Sequence, residues 1–260
     1  MRPTRVSAAA ALLLTLISMT ACSSSTPDAE SPPASSAASS PTTSDPTPVW
    51  DEESLKLISF EVGESVPVGF VATDSFEPSV RTVDDARASM TNAGLPSSGC
   101  GMSVYYQPAV LDELTGVWIG RELTRQSGDQ LGAVGELTES ADVAAGVYET
   151  IAGGFESCDE TPPPFNDITL STYEANPLDI DCGNFECTSS RLDIAGEDSS
   201  EATFYSSTWY STILSGNLVL TLALQSEGSA TLPVETDADF QQFVSAHTAK
   251  LDAALRFVTP

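Results

Sequence analysis

The stretch ATFYSSTWYSTILSGNLVLTLAL, running from Ala202 to Leu224, decides the fold. In its second half Leu218, Leu220, Leu222 and Leu224 recur at every other position. That period of two marks a strand with one buried face. Its first half spaces Phe204, Tyr205, Trp209, Tyr210 and Ile213 so that aromatic bulk falls on both faces. Ser215 and Gly216 stand between the halves, where a tight turn of an antiparallel hairpin is expected. Ala202 to Ile213 and Asn217 to Leu224 therefore read as paired strands.

On the C-terminal side, Thr236 with Asp239 three residues later opens a helix. Its apolar stripe runs Phe240, Phe243, Val244, His247, Leu251, Leu255. On the N-terminal side a second helix follows Ser140, its N-cap, with Asp142 well placed in the first turn. Ala144, Val147, Tyr148, Ile151 and Phe155 recur at helical spacing, and Cys158 continues the stripe. Thr82 and Asp85 resemble a capping box for a helix across Val83 to Asn92. Ser54 to Phe60 fits a short helix or a strand. Further strands are expected at Gly69 to Ala72, Ser103 to Tyr106, Gly116 to Thr124 and Gln130 to Leu137, with Ser127-Gly128-Asp129 as the turn between the last two. Ile168 to Tyr173, Leu178 to Cys182 and Cys187 to Ile194 complete the set. The layout is α+β: a twisted, mainly antiparallel sheet with two principal helices packed on it.

The first residues carry a different signal. Arg2 and Arg5 precede an apolar run from Ala8 through Ile17, shorter than the roughly 20 residues a bilayer span needs. Small residues then lead into Ser18-Met19-Thr20-Ala21-Cys22. This is a secretory leader with a cysteine at the first mature position, and it resembles the bacterial lipobox. The resemblance implies cleavage before Cys22 and lipidation of Cys22 with diacylglycerol and an N-acyl chain. Several chains would hold firmly where one holds weakly. Residues 1–21 are thus a lipoprotein signal peptide. Residues 22–49, almost wholly Ser, Thr, Pro and Ala after the cysteine, form a disordered tether. Residues 50–260 make one folded domain.

Two of the ten Lys and Arg residues lie in the leader and none of the 37 acids does, so the mature chain has 8 bases against 37 acids, a formal charge of −29. That excess disfavours nucleic acid and anionic headgroups, which bind through Lys and Arg. With Cys22 lipidated, Cys100, Cys158, Cys182 and Cys187 remain, an even number that suits two disulfides in an exported chain. Three pairings are open. Cys182 and Cys187 enclose the turn-like Gly183-Asn184-Phe185-Glu186 and can pair locally, which would leave Cys100 with Cys158.

Catalytic signatures are missing. His247 is the only histidine and sits in an apolar stripe, and no nucleophile elbow, zinc motif or phosphate loop occurs. Carboxylate neighbours such as Asp159/Glu160 and Glu197/Asp198 arise by chance among so many acids. Asp179, Asp181, Asn184 and Glu186 crowd oxygen ligands around one turn, but their spacing is not that of a calcium loop. No catalytic residue, metal or cofactor is therefore assigned. Aromatic side chains on both sides of strands leave room for a ligand groove, with Tyr105, Trp118, Tyr205 and Trp209 as its candidate lining.

Three segments, in order, are similar to a known arrangement. They are Gly99-Cys100-Gly101 with Val104-Tyr105-Tyr106; Ser140-Ala141-Asp142-Val143-Ala144-Ala145 leading to Phe155-Glu156-Ser157-Cys158; and Gly216-Asn217-Leu218-Val219-Leu220-Thr221-Leu222 before the last helix. Together they resemble the PknH-like extracellular sensor domain of actinobacteria, across about residues 50 to 258. Family members often carry Trp where this chain has Phe155, and the Cys182/Cys187 spacing departs from the family's second disulfide. The resemblance implies a twisted antiparallel sheet flanked by helices, two disulfides and a ligand cleft, with no catalytic residues. The expected function is a monomeric, lipid-anchored lipoprotein on the extracytoplasmic face of the cell membrane that binds or senses a small-molecule or envelope ligand without catalysis. A carrier of lipid or cell-wall precursors is the second reading, and a cell-envelope hydrolase working through carboxylates the third.

Overall fold

A computed structural model describes residues 47–66, 69–74, 77–92, 108–125, 129–156, 169–197, 203–227 and 236–258. The expected hairpin forms its centre. Strands β9 (Thr203–Ser215) and β10 (Leu218–Glu227) pair antiparallel, with Leu220 opposite Ile213 and Leu224 opposite Trp209. Gly216, at φ +59°, makes the turn. On one side β10 pairs with β6 (Gln130–Thr138). On the other, β9 pairs with β8 (Glu186–Glu197), and β8 with β7 (Thr169–Pro177).

The far edge of β6 is shared. β4 (Leu114–Ile119) pairs along Val134 to Thr138, and β5 (Leu123–Thr124) pairs at Gln130 and Leu131. β3 (Ser79–Arg81) adds to β4, while β2 (Phe70–Ala72) and β1 (Ser65–Val66) continue from β5. The single strand expected over Gly116 to Thr124 is thus two strands broken at Gly120. A Cβ there would lie 2.8 Å from the Trp118 ring, so the glycine lets that indole fold back over the break.

Helices cover both faces. Alternation along β10 sends Leu218, Leu220, Leu222 and Leu224 to one side, where α1 (Glu52–Ile58) and α5 (Thr236–Ala254) supply Leu55, Ile58, Phe240, Phe243, Val244 and Leu251. Val219 and Ala223 face the other side, under α4 (Ala141–Glu156) with Ala144, Val147, Tyr148 and Ile151. Val83 and Ala86 of α2 (Val83–Asn92), and Val110 and Leu111 of α3 (Pro108–Leu111), join this second core. The layout is α+β, with an antiparallel sheet among the described strands set between two helical layers.

The helix starts follow their caps. Ser140 Oγ accepts from Val143 N at 3.3 Å, and Thr82 Oγ1 accepts from Asp85 N at 3.1 Å. Of Ser54 to Phe60, the part through Ile58 is helix, because Asp51 and Ser54 form a reciprocal capping box, and Ser59 and Phe60 follow as non-helical chain. Leu178 to Cys182, expected as a strand, is irregular chain that crosses over the core. The expected strand at Ser103 to Tyr106 lies outside the described residues, as do the leader and the tether up to residue 46.

Candidate functional site

The densest polar cluster surrounds the first turn of α5, where Arg191 of β8 and Arg125, just past β5, each hold one of its aspartates. Arg191 of β8 donates through Nε to Asp193 Oδ2 at 3.0 Å, and its Nη1 lies 3.5 Å from Asp237 Oδ1. Its guanidinium stands 5.9 Å from the centre of the Trp209 ring, whose Nε1 donates to the same Asp237. Asp193 also accepts from Ser207 Oγ at 2.8 Å and Asn176 Nδ2 at 3.3 Å. On the other flank Arg125 donates to Asp129 Oδ2 at 2.6 Å and to Asp239, with its guanidinium 4.8 Å from the Phe70 ring centre.

Strand register explains how the first clamp assembles. Asn176, Arg191 and Trp209 are cross-strand neighbours on β7, β8 and β9, and so are Asp193 and Ser207. All therefore share the α5 face of the sheet. Asp237 and Asp239 lie where acids favour the helix dipole, so the clamps serve helix and sheet together. Burial disfavours the charge on Arg125, but its hydrogen bonds to Asp129 and Asp239 outweigh that and raise its pKa above the ordinary value. Each clamp sets one guanidinium against two carboxylates and keeps a net negative charge, and Arg191 and Asp237 keep part of their side chains in solvent. Chemically this rim offers a paired cation and anion at the surface, anchored from below by the buried Trp209, an arrangement suited to a polar ligand.

The groove residues read from the sequence are not brought together. Trp118 and Trp209 are 2 % and 0 % exposed and fill the α5-side core, so neither ring lines an open groove. Trp118 sinks inward because Gly135 opposite it leaves room: a Cβ there would stand 3.3 Å from the indole. Tyr205 is half-buried on the outer part of β9. Tyr105, Cys22, Cys100 and Cys158 lie outside the described residues, so one disulfide of the two expected is seen: Cys182 and Cys187 are bonded.

Asp179, Asp181, Asn184 and Glu186 around that bridge are exposed, and Asp181 Oδ1 is taken by Gly183 N at 2.8 Å. No group of three or more His, Cys, Asp or Glu among the described residues is placed to hold a metal.

Two buried titratable groups stand apart from the clamps. Glu136, on the α4 face of β6, is 3 % exposed, and its Oε2 has no hydrogen-bond partner among the described residues. Burial pushes its carboxyl well above the ordinary range. His247 is 1 % exposed in the core on the other face. The sequence reading put His247 in the apolar stripe but missed Glu136 and the α5 clamps. Arg125, Arg191 and their partners are scattered over more than a hundred positions, and no local spacing links them.

No protein-family model matches the chain, and no curated protein matches it. Among solved structures, the extracellular domain of PknH from Mycobacterium tuberculosis aligns at 14 % identity and a TM-score of 0.41, covering 80 % of this chain and 98 % of that one. The likeness is distant and assigns no residue a role. No helix among the described residues is long and apolar enough to cross a membrane.

Proposed function

We propose that this chain is a lipoprotein anchored through Cys22 to the extracytoplasmic face of the cell membrane, and that its folded part binds or senses a ligand without catalysing a reaction. The observation that carries this reading is the leader: Arg2 and Arg5, a short apolar run, and small residues ending at Cys22. The bond between Cys182 and Cys187 supports it, since disulfides persist in oxidising compartments outside the cytoplasm. Pro48 and Trp50 support the tether reading, because they join the folded part at the point where the Ser/Thr/Pro segment ends. Trp50 N donates to Asn217 Oδ1 at 2.6 Å and Trp50 Nε1 to Ser215 Oγ at 3.1 Å, while the Pro48 carbonyl rests on Gly216.

The partly exposed Arg191 and Asp237 pair supports recognition of a polar ligand, and the acidic balance favours neutral or cationic ones. The carrier reading fits less well, because Trp118, Trp209, Phe240 and Phe243 occupy the interior on the α5 side.

Mass spectrometry of the chain extracted from its native membrane tests the choice. The expected result is no stoichiometric lipid beyond the anchor, and a thermal shift on adding polar cell-envelope fragments that Arg191→Ala diminishes. Bound lipid at one equivalent would establish the carrier instead, and breakdown of the fragments would establish the hydrolase.

A further inference from the structure

The core holds the chain's only histidine without using its chemistry. The His247 ring lies between Phe60 and Phe243, edge to face with both, at centroid distances of 4.8 and 4.9 Å. Neither Nδ1 nor Nε2 has a hydrogen-bond partner among the described residues. A neutral imidazole carries one N–H and one bare nitrogen, so both go unsatisfied here, at a cost that a phenyl or leucyl side chain would avoid. What those side chains cannot do is take up a proton.

A charged ring would find no partner in this place. Lys250, one turn along the same helix, sets its Nζ 4.6 Å from the Phe60 ring centre. Glu64, from the α1–β1 connection, is bound to that lysine at 3.1 Å. Arg121, between β4 and β5, donates to the Phe60 carbonyl at 2.9 Å. Two of these three groups are cations and the carboxylate is engaged, while the sheet presents Leu123, Leu131 and Leu220 to the same cluster. A protonated His247 is therefore accommodated only if α5 and the Phe60 segment part.

We infer that His247 is an acid-sensitive latch: neutral, it closes the Phe60–His247–Phe243 stack and locks α5 to the α1–β1 segment; protonated, it releases them. The segment it would release follows directly on Pro48–Trp50, where the tether joins, so opening changes how the folded part is held. The latch rests on the surroundings of His247 and not on lipidation or ligand binding, so either reading can fail without the other.

The direction follows from burial, with Lys250 second, which lowers the ring's pKa from 6.5 to about 3. The open form takes up a proton first, so the closed state is favoured fully above the ordinary pKa and loses ground as pH falls from there toward 3. Between pH 7.5 and pH 5 the closing equilibrium should weaken by about 30-fold through this one group.

Hydrogen exchange on the detergent-solubilised full chain, corrected for intrinsic rates, reads this directly. Peptides covering 52–64 and 243–254 should lose about 30-fold protection in the wild type over that pH range, and His247→Phe should lose less than about a tenth as much. Should that variant not fold, proton resonances of the single imidazole in the wild type decide the matter. They should keep the neutral position until those two segments open. Reversible titration near pH 6.5 with protection intact, or equal loss of protection in wild type and variant, would overturn the latch.

Discussion

Glu136 is the residue whose setting is most at odds with its chemistry. It lies directly between Val117 of β4 and Val219 of β10, under the α4 layer. Burial raises its pKa well above that of an exposed acid. The folded state binds the extra proton, so this group's stabilisation is present at low pH and is lost as pH climbs from the ordinary carboxyl range toward the raised value. Glu136→Gln should therefore be more stable than the wild type at pH 8, by roughly 1–3 kcal/mol, and should flatten the decline in stability on the alkaline side. Urea denaturation across pH checks this, and parallel curves for the two proteins would contradict it. In the sequence this glutamate closes the alternation of Gln130 to Leu137, where a charged residue reads as solvent-facing. Its burial becomes visible only once β4 and β10 flank β6 and α4 covers the row. His247 is the reverse case: its apolar stripe already placed it inside, while the want of partners had to come from the structure.

Among the elements, the β9–β10 hairpin was the most legible, because a period of two on Leu218 to Leu224 has one reading. The finer use of its turn was not. Gly216 is needed twice, for its positive φ and because an added Cβ would sit 1.9 Å from the Pro48 carbonyl oxygen. Gly216→Ala should cost roughly 1–3 kcal/mol from backbone strain alone, and should expose the Pro48–Trp50 segment to proteolysis. Unchanged cleavage near Trp50 would show that the contact does not hold the segment.

Leu178 to Cys182 misled the reading for a physical reason. Leu178, Ile180 and Cys182 alternate onto the core as in a strand, and Leu178 N donates to Ser189 O of β8 at 2.9 Å, but the backbone of Asp181 is taken up by a helix side chain. Asp181 N donates to Gln241 Oε1 and Gln241 Nε2 donates to Asp181 O, both at 3.0 Å. The Cys182–Cys187 bond closes the same loop. Replacing both cysteines with serine should lower stability by about 2 kcal/mol, with most of the loss confined to this loop and the start of α5. A reductant should have the same effect on the wild type. A fall well beyond that figure would mean that the bond organises more of the sheet.

At the scale of the whole molecule, the chain is proposed to divide into a leader, a tether and a folded part. The first two are read from composition, since polar low-complexity sequence and a short apolar run need no tertiary context. Up to residue 46 both lie outside the described residues. The α+β class was legible as well, from one hairpin and two striped helices. The sharing of β6 by β4 and β5, the helices on both faces and the two arginine clamps were not, because each depends on residues far apart in the chain. The clamps place the cation–anion rim at the first turn of α5. The sheet carries Leu224 and Leu131 at that level, whereas Pro48 and Trp50 dock beside Leu218 at the other end of β10. The Arg191–Asp237 rim and the Pro48–Trp50 segment thus stand at opposite ends of the central strands, an arrangement that would suit the proposed outward presentation of the rim.

The anchor underlies the whole account, and phase partitioning with intact mass analysis tests it most directly. Wild-type chain expressed in its native host should enter the detergent phase, begin at Cys22 and carry the added mass of a diacylglycerol and an acyl chain. Cys22→Ser should leave the protein in the aqueous phase without that mass. Wild-type protein found in the aqueous phase, with an unmodified thiol at Cys22 or an uncleaved leader, would contradict the account.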